Sequence, residues 1–180
     1  MPHDIILVAQ DNRYSSSYLL LIEKIKQSFP RFKNQYYDPE SLEEIFDGSS
    51  GINSYTKQEI IQKGLGVRLE AEFFDGILKK REVKETTSGF IEIRHEDWIE
   101  ISFWDNGIIN LAVPNYPHRD INIAMADILS VVQFLEQEGF ALDHPTEDKI
   151  IPKDEAEAFL YQSYLNRQIQ IDQVRKIVSD

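Results

Sequence analysis

The chain reads as an α+β protein: a five-stranded antiparallel meander over roughly residues 67–113, packed by an N-terminal helix and two C-terminal helices. Three observations predict this. Runs that alternate apolar and polar residues crowd the middle of the chain. Turn-forming residues punctuate those runs, at Asp75-Gly76, Thr86-Thr87-Ser88-Gly89, Glu96-Asp97 and Asp105-Asn106-Gly107. Apolar residues at three- and four-residue spacing are confined to the flanks. Strands segregated from helices argue for helices laid on one face of an antiparallel sheet.

Asp4 to Ala9 predicts a short buried strand. Tyr14 to Phe29 predicts a helix, with Ser15, Ser16 and Ser17 offering cap hydroxyls and Tyr18, Leu21, Ile22, Ile25 and Phe29 forming an apolar stripe. Leu19 and Leu20 widen that stripe, which predicts a well-buried helix. Pro30 ends it. Residues 31–66 are less regular. Pro39 to Phe46 resembles a short acidic helix, and Asp47 to Gly51 is a loop by composition. Thr56 with Glu59 three residues on forms a capping-box pattern, so Thr56 to Lys63 predicts a helix that Gly64 stops.

The meander follows. Val67, Leu69, Ala71 and Phe73 alternate with Arg68, Glu70, Glu72 and Phe74 up to Asp75-Gly76. Ile77 to Glu85 returns as a charged strand, its Lys79-Lys80-Arg81 run suited to an exposed edge. Phe90 to His95 makes a third strand. The final hairpin is the clearest signal in the chain. Ile99, Ile101 and Phe103 alternate with Trp98, Glu100, Ser102 and Trp104, then Asp105-Asn106-Gly107 reverses the chain into Ile108 to Val113. Past Pro114 and Pro117, Asp120 to Glu138 predicts a helix closed by Gly139, with Ile121, Ala124, Ile128, Val131, Val132 and Leu135 on one side. Ala141 to Ile151 is a connector. Asp154 opens a last helix to about Val178, whose stripe is Phe159, Leu160, Tyr164, Ile171, Val174 and Val178. No repeat and no long linker divides residues 1–180, so they read as one domain.

The chain has 180 residues and no cysteine. A domain of this size buries roughly 70% of its unfolded surface and needs no covalent staple. Lacking cysteine, it can have no disulfide framework, cysteine nucleophile or thiolate metal site, and it suits a reducing compartment. Its opening residues lack the basic region and cleavage site of a secretory signal, and no apolar run approaches the ~20 residues of a membrane span. A soluble cytoplasmic protein is expected.

The net charge is −12, with 31 acidic residues against 19 basic. Such a chain repels nucleic acid and anionic membrane at long range and attracts a basic protein partner.

Two pairs could carry metal chemistry, His95 with Asp97 and His118 with Asp120, and His144 could be a further ligand. Imidazole and carboxylate together suit a metal that acidifies water in a hydrolase. Against this, Asp97 has a turn to make and Asp120 a helix to cap, and neither spacing matches a zinc motif. Gly64-Leu65-Gly66 lacks the third glycine of a dinucleotide loop. No phosphate-binding loop or nucleophile elbow appears. A cofactor is therefore not expected.

Elimination favours a non-catalytic binding protein of the immunity, inhibitor or dedicated-chaperone kind, which occludes a partner protein. Trp98, Glu100 and Trp104 share a strand face, and Tyr36, Tyr37 and Asp38 form an aromatic, acidic loop. Tryptophan and tyrosine are the usual anchors of interfaces, so these six are the expected contacts. The last helix, 154–178, offers the seam a homodimer would use.

Overall fold

The computed structural model describes residues 3–37, 55–72, 82–86, 89–93, 98–113 and 121–179. The strands are β1 His3–Ala9, β2 Phe32–Tyr37, β3 Val67–Glu72, β4 Glu82–Thr86, β5 Gly89–Ile93, β6 Trp98–Trp104, β7 Ile108–Val113 and β8 Phe140–Leu142. The helices are α1 Leu19–Ser28, α2 Lys57–Lys63, α3 Ile121–Gln137 and α4 Ala156–Ser179. The α+β architecture with an antiparallel sheet is the one the sequence predicts.

Six strands form the main sheet in the order β2-β3-β6-β7-β1-β8, every neighbour antiparallel. Among the described residues, strands β4 and β5 pair only with each other. The pairing thus differs from a plain meander. Strand β3 skips the two strands that follow it and joins β6, with Leu69 opposite Ile101 and Glu72 opposite Trp98. The reason lies in the side chains. Strand β4, Glu82-Val83-Lys84-Glu85-Thr86, has a single apolar residue and cannot extend an apolar face. Strand β6 brings Ile99, Ile101 and Phe103 to meet Val67 and Leu69 in the core.

Two strands come from segments without a strong sequence signal. Strand β2 covers one edge of β3, and β8 pairs with β1 from within the predicted connector. The β1 strand lies inside the sheet, where Ile5 and Leu7 are buried between β7 and β8.

The helices bury their stripes in the same core: Leu21, Ile22 and Ile25 from α1; Met125, Ile128, Val131, Val132 and Leu135 from α3; Ala156, Leu160 and Tyr164 from α4. The α2 helix is capped as its sequence predicts. Thr56 accepts the Glu59 amide, the Glu59 carboxylate accepts the Thr56 amide, and Gly64 closes the helix at φ +69°. Two expectations for α1 are corrected. It begins at Leu19, and Leu19 and Leu20 lie on the surface, Leu20 being 63% exposed. The Ser17 oxygen accepts the Leu19 amide at 3.2 Å, so one of the expected hydroxyls does meet the helix start, while its hydrogen goes to the Gln62 carbonyl (2.8 Å) and the Ser15 hydroxyl donates to the Asn12 carbonyl (2.9 Å). Asp11 to Tyr18 is consequently a loop. The predicted acidic helix 39–46 lies outside the described residues.

Candidate functional site

Strand β6 turns Ile99, Ile101 and Phe103 into the core and Glu100, Ser102 and Trp104 to the opposite face. That opposite face is paired, and Glu100 and Ser102 in its middle are buried. Glu100 is only 5% exposed and its Oε1 accepts from Arg68 across β3 at 3.0 Å. Ser102 is buried and accepts the Trp104 indole N–H at 3.0 Å. Asn110 on β7 donates to Asp4 on β1 at 3.2 Å. Glu100 is therefore corrected from a surface contact to a buried partner of Arg68, because a carboxylate removed from water needs a cation beside it. Trp104 is half-buried and keeps some surface. The side chains of Trp98, Tyr36 and Tyr37, and all of Asp38, lie outside the described residues, so of the six expected contacts only Glu100 and Trp104 are placed.

The metal candidates His95, Asp97, His118 and Asp120 also lie outside the described residues. His144 has a structural place. Its Nδ1 accepts the Glu147 amide at 3.1 Å, and its ring packs on Phe159 with centroids 5.2 Å apart. Among the described residues no cluster of histidine and carboxylates could hold a metal.

A cleft of about 360 Å³ opens at the end of the sheet where β1 gives way to α1. The Asp11–Tyr18 loop forms one wall, the β6–β7 turn Asp105–Gly107 another, and Lys63 and Leu65 after α2 a third. Each wall is held by backbone bonds. The Tyr18 amide donates to the Lys63 carbonyl (2.8 Å), and the Gly66 amide to the Phe103 carbonyl (2.9 Å). The Gln10 amide donates to the Gly139 carbonyl (2.8 Å).

The loop is also tied down by charge. The Tyr14 hydroxyl and the Lys24 ammonium both donate to the Glu138 carboxylate, Lys24 at 2.7 Å, and the Arg13 guanidinium lies 3.8 Å from it. Burial works to raise the Glu138 pKa, but the Lys24 and Tyr14 bonds outweigh it and hold the carboxyl below its ordinary range. Burial, then the bond to Glu138, raises the Tyr14 hydroxyl. The bond to Glu138, then that to Tyr14, raises Lys24.

Within the cleft, charge is arranged in two ways. Asp11 is neutralised where it stands, with Arg13 at 3.1 Å. Lys63 and Asp105 both touch Tyr55, its hydroxyl donating to Asp105 Oδ2 at 3.0 Å and the centroid of its ring lying 5.3 Å from the Lys63 ammonium. Below them the Tyr18 hydroxyl donates to the Trp104 carbonyl at 2.9 Å, and burial, aided by the nearby Asp105 charge, pushes its pKa far up. Sequence reasoning misses this cleft because it places Tyr14 to Tyr18 in a helix. The run of three serines after Asp11-Asn12 is the signal for a loop.

These features define an α+β protein with a six-stranded antiparallel sheet and a polar cleft at its end. No protein-family model matches the chain, and no curated protein or solved structure does. Among the described residues no helix is long and apolar enough to cross a membrane.

Proposed function

We propose that this is a non-catalytic protein that binds a basic protein partner and occludes its surface, as an immunity protein, an inhibitor or a dedicated chaperone does. The observation that carries the reading is the net charge of −12, which steers a cationic partner and repels polyanions. Apolar anchors accompany it. Leu19 and Leu20 on the first turn of α1 and Ile61 on α2 are exposed, at 42%, 63% and 46%. The two helices adjoin: a Cβ on Gly64 would meet Leu19 Cδ2 at 3.2 Å. Trp104 remains a contact in this reading, while buried Glu100 does not. Occlusion rests on shape and charge and asks for no reacting group.

The test begins with capture from native lysate at low and high salt, followed by titration of the purified pair. The expected result is a stoichiometric basic protein whose affinity falls as salt rises. Leu20→Asp, at an exposed position that leaves the core untouched, should weaken that affinity at least ~10-fold. A partner indifferent both to salt and to this substitution would overturn the reading.

A further inference from the structure

We propose that the cleft between the Asp11–Tyr18 loop, the Asp105–Gly107 turn and Lys63 binds a free amino acid through both of its charges. Lys63 and Asp105 both line the cleft, and neither makes an ion pair among the described residues. Glu59, one turn before Lys63, feels its charge but makes its hydrogen bonds in the capping box with Thr56 and no ion pair with it. Asp105 takes one hydrogen bond from Tyr55 at Oδ2. Tyr55 engages the carboxylate with its hydroxyl and the ammonium with its ring, so the two charges are held by different parts of one side chain.

A ligand entering this cleft displaces water from both charges, and a charge stripped of water needs an opposite charge in its place. A pure anion would meet Asp105 and the field of a chain carrying −12. A pure cation would leave Lys63 uncompensated. A neutral polyol would compensate neither. A zwitterion satisfies both, its ammonium on Asp105 and its carboxylate on Lys63.

The remaining lining suits the rest of such a molecule. Asn12, Ser16 and Asn106 supply further polar groups, and Ala9 and Leu65 give a small apolar wall for a side chain. The volume of about 360 Å³ sits at the low end of ligand sites, which matches a single small molecule. The inference is independent of the protein-binding reading.

The experiment is an amide-resolved NMR titration of the whole chain with each of the common amino acids. The best binder is then compared with its methyl ester, which has lost the anion, and with its N-acetyl form, which has lost the cation. The expected result is a set of shifts gathered at Asn12 to Tyr18, Lys63 to Leu65 and Asp105 to Gly107. Each capped form should bind at least ~10-fold more weakly. Lys63→Met and Asp105→Asn should each lose a comparable factor, and the carboxamide oxygen that the second substitution introduces can still accept from Tyr55. If no amino acid shifts these amides at millimolar concentration, or if either capped form binds as well as the parent, the proposal fails. The capped-ligand comparison uses the unaltered protein, so a variant that fails to fold does not blunt the test.

Discussion

Glu138 shows how one side chain sets the geometry of a distant wall. It lies just past α3, yet it gathers Arg13 and Tyr14 from the cleft loop and Lys24 from α1. Its folded-state pKa is below the ordinary carboxylate value, so its stabilising contribution is present above the unfolded value of ~4.3 and is lost as pH falls through the lower folded value. Glu138→Gln should therefore destabilise the protein near neutral pH by about 1 kcal/mol, at the low end for charge-assisted bonds because Arg13 and Lys24 reach solvent. The gap between variant and parent should close as the pH is lowered through and below the ordinary carboxylate range. Denaturant titrations across that range would check it, and a gap that stays constant with pH would show that the charge is not what matters. Glu100 teaches the complementary lesson. Its place among alternating residues is readable from sequence, but its enclosure depends on Arg68, which is supplied by another strand.

Among the elements, the β6–β7 hairpin is the most completely legible from sequence. The alternation, the Asp-Asn-Gly reversal and the two strand limits all appear where the sequence places them. Asn106 and Gly107 adopt φ of +59° and +77°, the left-handed region that these two residue types tolerate best. The two positions are not equivalent. A Cβ on Gly107 would sit 2.7 Å from the Ala9 Cβ, whereas Asn106 is exposed. Gly107→Ala should cost at least ~2 kcal/mol, combining strain and contact. Asn106→Gly should stay within ~0.5 kcal/mol of the parent. Equal effects in thermal unfolding would refute this account of the turn. The α2 helix is readable for the same reason: a capping box and a C-terminal glycine act within one or two turns of chain. The α1 start is less so: Ser17 meets the Leu19 amide, but Ser15 and Ser17 also donate to carbonyls at Asn12 and Gln62, and the second of these is remote in sequence.

For the whole molecule, the order of the sheet is the principal result. Strands β3 and β6 are neighbours although a separate hairpin, β4–β5, lies between them in the chain. Glu72 and Trp98 face each other in the register, so the ends of that excursion are adjacent. Replacing residues 73–97 by Asn-Gly should therefore leave the six-stranded sheet able to form, since a two-residue turn closes an antiparallel pair. The shorter connection also reduces the entropy of closing the loop, by about 0.6 kcal/mol per halving of its length. The variant should unfold cooperatively and keep the near-ultraviolet signal of Trp104. Loss of cooperativity would show that the excursion is part of the core.

The sequence alone determined what depends on neighbours along the chain. The α+β class, the α2 caps, the Asp-Asn-Gly hairpin and the apolar stripe of α3 follow from period and local hydrogen bonding, which act over a few residues. It determined the charge as well, and with it the kind of partner proposed. Only the tertiary structure decided which strand pairs with which, that β1 and β8 complete the sheet, and that Glu100 is enclosed while Leu20 is exposed. It alone assembled the cleft, because Asp11, Lys63 and Asp105 come from three separate segments. Pairing and burial follow from which apolar faces can cover one another, a competition among all segments at once that no local pattern encodes.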